Sequence, residues 1–514
     1  MQSNSYRMIA WWSSSDKLVW KRPAKISVRI RLQVSMRIYI TVCSGARYLD
    51  WIQSGGKEFV MKWKMAPSAM ALAAENVISE LTQNGHEAFW VGGCIRDELL
   101  GRPVHDMDIT TSAVPEEVIA IFARSIPTGL AHGTVTVLQD GHGFEVTTYR
   151  TESGYVDHRR PDHVEFVSDV KEDLRRRDFT INAICCGLGG DLIDPFGGEK
   201  DLALRVIRCV GDAEERFDED ALRMLRCVRF ASVLDFSIAK NTWRGLLRQR
   251  DKLAHIAVER VRAELDRIVE GPHPRRGLAM LARCELLARG KAPFPWTGTD
   301  LAAAAALTAG IGELESAHLR WALLLHALKQ SAQEADELLR AWTFSGTTRT
   351  SVVQVLRVRE AWTAALEAVP PGEPGGTDLL RRRWIAAVLT FGVEAAEGWL
   401  SLLAILPAAA LPAANSPADS EVSPAVNTQA VSKDSPAITA PAVPAREWIA
   451  QMPLKSLSEL AVTGNELAEV LEKRPGPWLG NMLSALLQAT ASGDLLNNKQ
   501  ELLLEAKRMD GHEL

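Results

Sequence analysis

The spacing of apolar residues changes several times along this chain. From Ile26 through Val28, Ile30, Leu32, Val34, Met36, Ile38 and Ile40, apolar positions alternate strictly, which is the period of a strand. Residues 70 to about 210 mix short β-branched runs (134–138, 144–148 and 163–167) with helical segments and Gly-rich turns, predicting an α+β unit. From about Glu214 onward, Leu, Ala and Arg recur at helical spacing, as in 220–233, 258–268, 319–328 and 383–403. That half is expected to be all helix. Residues 406–445 turn to Pro, Ala, Ser, Thr and Val, the composition of an extended linker, so a separate small unit should start near Trp448.

Composition narrows the class. With 46% hydrophobic and 24% charged residues in 514, the chain is globular rather than disordered or collagenous. A formal charge of -5 means that any grip on nucleic acid must come from local basic faces. Seven scattered cysteines, of which only Cys185 and Cys186 are neighbours, suit neither a disulfide framework nor a zinc knuckle and read as reduced thiols in a cytoplasmic protein. No apolar run is long enough to cross a bilayer, so no membrane partner is expected. Residues 1–60, rich in Trp and Arg, resemble neither a secretory signal nor a transit peptide. They read as an atypical extension, unstructured or preceding a true start at Met61, Met65 or Met70, in preference to an added strand or basic RNA-contacting arm.

The first chemistry lies in Val91-Gly-Gly-Cys-Ile-Arg-Asp-Glu-Leu-Leu-Gly-Arg-Pro-Val-His-Asp106-Met-Asp108. On a strand, Asp106 and Asp108 share one face and can hold a pair of Mg²⁺ ions. The spacing alone is weak, since 64 acids in 514 residues give about eight acid-x-acid pairs by chance. The Gly92-Gly93 turn, which lets backbone N–H groups approach a phosphate, and Arg96 three residues later strengthen it. Glu145, in another strand-like run, is a candidate third carboxylate, and an ordinary half-exposed strand acid is the alternative.

Four motifs in order carry a resemblance. Gly-Gly-x-x-Arg-Asp with Asp-x-Asp is followed by Arg175-Arg-Arg-Asp-Phe-Thr-Ile-Asn-Ala183, then Glu219-Asp-Ala-Leu-Arg-Met-Leu-Arg-Cys-Val-Arg229, then Glu259-Arg-Val-Arg-Ala-Glu-Leu265. Together they resemble the class II tRNA nucleotidyltransferases, the CCA-adding enzymes and their poly(A) polymerase relatives, strongly over residues 67 to 270. The stretches from Pro453 and from Lys473 to Gly480 are again similar to the bacterial CCA-adding form.

The resemblance implies a polymerase-β-like nucleotidyltransferase head at 67–210, a helical neck at 211–275 that recognises the base, a helical body at 276–405, the linker at 406–445 and a helical tail at 446–514. It implies template-independent addition of the 3′-terminal CCA of tRNA from CTP and ATP, with Asp106 and Asp108 as the catalytic carboxylates that hold Mg²⁺; Glu145, from its strand-like run, joins them as a catalytic candidate. Gly93 and Arg96 would hold the nucleotide's phosphates, Arg177 would reach the nucleotide, and Asp178 would tie head to neck. Asp220 and Arg223, i and i+3 and therefore expected on one helix face, would accept C and A and reject U and G. Arg226 and Arg229 would also contact the nucleotide. Arg260 and Glu264, at i and i+4, are read as a helix-stabilising ion pair. A polar loop is expected at 154–161, which the resemblance associates with adding the final A. Arginines 275, 276, 381, 382 and 383 are candidates for steering tRNA along the body and tail. Other readings stay open: an A-adding enzyme, a poly(A) polymerase or a non-catalytic RNA-binding protein, and a homodimer in any of these cases.

Overall fold

The computed structural model describes residues 18–21, 27–30 and 63–511, apart from 157–159, 293, 295, 370–374 and 408–441. The chain divides into residues 1–59 and 60–514. Within the first unit, β1 (Leu18–Lys21) and β2 (Ser27–Ile30) pair antiparallel, so eight residues of the extension, read as unstructured or as preceding a true start, are strand. The rest of the alternating run, from Arg31 to Ile40, lies outside the described residues.

The head begins with α1 (Ser68–Gln83), whose Met70, Ala74, Val77, Ile78 and Leu81 are buried at helical spacing against the sheet. It continues through β3 (Ala88–Val91), α2 (Gly93–Leu100), β4 (Ile109–Thr111), α3 (Pro115–Ile121), β5 (Ser125–Gly129), β6 (Thr134–Gln139) and β7 (His142–Thr148). Then come β8 (Arg150–Val156), β9 (Arg160–Phe166), α4 (Val170–Arg175), β10 (Cys185–Cys186), β11 (Leu192–Ile193) and α5 (Gly198–Leu204). Seven of these strands form one sheet in the order β11-β10-β3-β4-β7-β6-β5. It is mixed: β3 and β4 run antiparallel, whereas β4 and β7 run parallel, with Ile109 opposite Val146. The stretch expected as a polar loop at 154–161 instead belongs largely to the β8–β9 hairpin, with 157–159 outside the described residues.

A short parallel pair, β12 (Val206–Ile207) and β13 (Ser237–Ile238), is the exception to an otherwise helical second half. The neck is α6 (Ala213–Glu219), α7 (Leu222–Val233), α8 (Lys240–Gln249), α9 (Val258–Val269) and α10 (Pro274–Cys284). The body follows as α11 (Gly298–Ala303), α12 (Ala317–Ala327), α13 (Ala332–Ala341), α14 (Gly346–Glu367), α15 (Gly376–Phe391) and α16 (Val393–Ile405). The helix expected over 383–403 is broken at Gly392, whose φ of 95° lies in a region that favours glycine.

After the linker come α17 (Ala442–Gln451), α18 (Gly464–Val470), α19 (Pro477–Ala491) and α20 (Lys499–Met509). The tail boundary moves. Ala445, Trp448, Ile449 and Met452 bury themselves in the main core, and Trp384 donates its indole N–H to the Ala445 carbonyl at 2.9 Å. A separate core, built on Leu460, Leu467, Leu486 and Leu502, begins only at Leu454. Arg381 and Arg382 make contacts within the chain: Arg381 donates to the Ser492 carbonyl at 3.1 Å, and Arg382 pairs with Asp378 and Asp494, fastening α15 to the tail.

Candidate active site

Asp106 and Asp108 precede β4 in extended backbone that prolongs the sheet, since Val91 N–H donates to the Asp108 carbonyl at 3.0 Å. Met107 between them is 3% exposed while Asp106 is exposed, so the strand period puts both carboxylates on the face away from the core. The parallel register that sets Ile109 opposite Val146 brings Asp108 beside Glu145 one step earlier. Adjacent strands therefore bring the third acid to the pair. Burial first, then the negative charges of Asp106 and Glu145, push the Asp108 carboxyl up to about 6, against the opposing pull of Arg177.

These are hard oxygen donors whose mutual repulsion Arg177 only partly offsets, a set that fits a divalent cation. Among the described residues no three His, Cys, Asp or Glu side chains close a metal cage by themselves. Mg²⁺ is commonly held by one or two carboxylates with substrate phosphates and water completing the shell.

Behind the carboxylates stands the glycine turn. Gly92 has φ 77°, and a Cβ there would lie 3.1 Å from Nη1 of Arg177. Gly93 opens α2, whose Arg96 points inward and is well partnered: it donates to both Asp97 oxygens and to Asn182 Oδ1 at 2.7 Å, and its guanidinium lies 5.1 Å from the Phe230 ring. Arg177, in the turn after α4, has a buried Nε without a partner and a charge that faces Asp108. Of the two arginines expected to bind the nucleotide, Arg177 has the spare donor.

Asp178 joins head to neck as expected, accepting from Arg226 Nε at 2.7 Å and Nη2 at 2.6 Å, and from Asn182 Nδ2 at 3.0 Å. Burial would raise its carboxyl, but Arg226 and Asn182 outweigh that and bring it down to about 2. Two other expectations need correction. Asp220 is not on the helix that carries Arg223: at φ -135° it closes α6, Ala221 caps α7, and helix resumes at Leu222. A carboxylate that accepts from the Leu222 N–H at 3.1 Å ends one helix and starts the next, so the three-residue spacing crosses a turn. Nor do Arg260 and Glu264 pair with each other. Arg260 reaches Asp220 at 3.4 Å, and Glu264, 3% exposed, binds Arg229 and Arg267, so α9 grips the turn before α7 and the far end of its arginine row.

Arg223 is itself 8% exposed and donates to Glu219, to the Arg216 carbonyl at 3.1 Å and to the Arg176 carbonyl at 3.0 Å. Phe230, to which the sequence reading gave no role, gathers Arg96, Arg226 and Arg229 with guanidinium carbons 5.1, 5.4 and 4.0 Å from its ring. Asn182 and Glu219 stood inside the quoted motifs without an assigned part. Their neighbours 86 residues and four residues away reveal it only in the fold.

Comparison with known proteins decides the family. The poly A polymerase head domain matches residues 88–208, the probable RNA and SrmB-binding site of polymerase A matches 235–289, and the putative tRNA nucleotidyltransferase domain 2 matches 436–506. The CCA-adding enzyme of Geobacillus stearothermophilus is 37% identical over 439 residues, covering 85% of this chain and 97% of the relative. The chain belongs to the CCA-adding enzymes. That of Lactiplantibacillus plantarum is also 37% identical, over 85% of this chain and 96% of its own. Among solved structures, the Bacillus stearothermophilus CCA-adding enzyme in complex with CTP aligns with TM-score 0.68 at 34% identity, over 86% of this chain and 98% of that one. The CCA-adding family is one of nucleotidyltransferases, and the polymerase-β-like head with helical neck, body and tail is its architecture here as well.

Proposed function

We propose that this chain builds and repairs the 3′-terminal CCA of tRNA from CTP and ATP without a nucleic-acid template, in the cytoplasm. The observation that carries the reading is the parallel register that sets Asp108 beside Glu145, with Asp106 and Arg177 near enough for their charges to act on the Asp108 carboxyl. Divalent cations such as Mg²⁺, held by Asp106 and Asp108, would lower the pKa of the attacking 3′-hydroxyl and neutralise the triphosphate. Arg177 and the Gly92-Gly93 backbone bind the phosphates, with Arg96 adding its charge from behind. Pyrophosphate leaves as the new phosphodiester bond forms.

Base choice rests on Asp220 and Arg223. A carboxylate accepts from the exocyclic amine of cytosine or adenine, and a guanidinium donates to the unprotonated ring nitrogen beside it. Uracil and guanine offer a carbonyl beside an N–H, leaving both protein groups mismatched. Arg260 and the Leu222 N–H already fix the Asp220 carboxylate, and the base takes over a contact that Arg223 now gives to Glu219 or a carbonyl. Arg226 and Arg229 act chiefly by locking the neck through Asp178 and Glu264.

The tRNA is best served by a cleft between α8 and α10, lined by Lys240, Trp243, Arg244, Arg276 and Arg283 and by no carboxylate. It lies within the segment that matches the RNA-binding family model, and Arg283 stacks 5.3 Å from the Trp243 ring. The test uses tRNA transcripts lacking CCA, ending in C and ending in CC, each given CTP, ATP or both with Mg²⁺. Stepwise completion of all three to CCA is expected. Extension of the CC transcript alone, long A tails, or no extension would each replace the reading, by an A-adding enzyme, a poly(A) polymerase or a non-catalytic RNA-binding protein.

A further inference from the structure

Asp173 on α4 is 0% exposed and has no part in the mechanism above. Its carboxylate accepts from Arg176 through Nε at 2.9 Å and Nη2 at 2.8 Å, and from Arg177 Nη2 at 3.5 Å. The Thr110 hydroxyl at 3.3 Å and the Arg150 backbone N–H at 3.4 Å complete the set. Three pieces of the head thus meet on one side chain: β4 two residues beyond Asp108, the start of β8, and the arginine run after α4. Burial alone would raise this carboxyl, yet the charges of Arg176, Arg177 and Arg150 outweigh it and hold Asp173 below the usual carboxylate range. An ionised group so deep in the protein persists only when its partners are fixed in place.

Two connections run from this hub to the nucleotide site. Arg177 carries the first, with its charge toward Asp108 and its Nη1 against the Gly92 turn. Arg176 carries the second. Its guanidinium also holds Glu152 of β8 at 3.2 Å, and its backbone carbonyl accepts from Arg223 Nη2 at 3.0 Å. We infer that Asp173 is a positioning residue of the nucleotide site: one buried carboxylate sets Arg177 toward the catalytic acids and the Arg176 carbonyl beneath Arg223, in register with the strand that follows Asp108. It touches no nucleotide atom itself. The inference rests on the reading of Arg177 as a phosphate ligand.

A kinetic cycle on the full chain tests it, with wild type, Arg177→Gln, Asp173→Asn and the double variant assayed for CTP and ATP. Each single variant is expected to raise the nucleotide KM about tenfold, equivalent to 1.4 kcal/mol, with the tRNA KM unchanged. The double variant should fall well short of the product of the two single effects, because the path through Arg177 is common to both changes and only the path through Arg176 is left for Asp173→Asn to add. Independent, multiplying effects would overturn the inference, and so would a loss of Tm in Asp173→Asn with no change in nucleotide KM. If Asp173→Asn does not fold, Arg177→Lys decides, since lysine keeps the charge and loses the planar fork. Positioning requires Arg177→Lys to be as poor as Arg177→Gln, and a wild-type KM in the lysine variant overturns it. Failure of the underlying reading is distinguishable: Arg177→Gln alone would then leave the nucleotide KM unchanged, which removes both.

Discussion

The carboxylate corner of the head and the arginine row of the neck handle charge in opposite ways. At the corner, Asp106, Asp108 and Glu145 repel one another, and burial adds to the cost of ionising Asp108. Along α7 the charges are already matched: Arg223 with Glu219, Arg226 with Asp178, Arg229 with Glu264. The first arrangement has charge left over for cations and a triphosphate. The second spends its charge on holding its own geometry, and so can present a fixed pattern of donors and acceptors to a neutral base edge. Chemistry and selection are thereby separated into a corner that needs outside charge and a row that needs none.

Breaking the corner should have the largest effect. Asp106→Ala is expected to lower incorporation of both CTP and ATP by about 10³-fold or more while tRNA binding by filter assay is retained. Full activity in that variant would remove the metal assignment. Asp220→Ala attacks the row instead and should leave incorporation measurable while cutting the preference for C and A over U and G by about 10²-fold. Unchanged misincorporation would show that selection lies elsewhere in the site.

The two regions also differ in how far they could be read from sequence. The corner depends on strand period and on one parallel register, so a two-residue spacing near a glycine turn pointed to it and left Glu145 as a candidate, while the ordered motifs supplied the assignment. The row depends on tertiary partners: Arg226 meets Asp178 across 48 residues and Arg229 meets Glu264 across 35. Helical spacing suggested Arg260 with Glu264 and placed Asp220 on the helix of Arg223, and both failed for physical reasons. The Asp220 backbone is extended rather than helical, and a buried Glu264 satisfies two arginines outside the i, i+4 relation. Asp173 was silent in the sequence because nothing local distinguishes a hub carboxylate from a surface acid in a Lys-Glu-Asp run.

The joint between the two regions can be loosened by acid. Asp178 titrates at about 2 in the folded chain, below the ordinary 3.8. Its contribution is therefore fully present above about pH 4 and disappears as the pH falls through 2, amounting to roughly 2 kcal/mol. Asp266, raised to about 6 chiefly by burial, works in the opposite direction as pH rises, so the comparison must be between wild type and Asp178→Asn at each pH. The stability gap between them in urea unfolding should be constant near neutrality and close below about pH 3. A gap that persists unchanged into acid would mean that the tie is shape rather than charge.

The smallest expected effect lies outside both regions and tests whether the separation extends to the RNA. Lys240, Arg244 and Arg283 line the α8–α10 cleft, and among the described residues none of them forms an ion pair. Unlike the row, this face has charge to give, and unlike the corner its charge is positive. Replacing all three by Ala should weaken tRNA binding several-fold and reduce the slope of log affinity against log salt by about 2, since each phosphate contact releases slightly less than one counterion. Nucleotide KM and base selectivity should not move. A salt slope identical to wild type would take the RNA off this face and leave the cleft as a solvated surface.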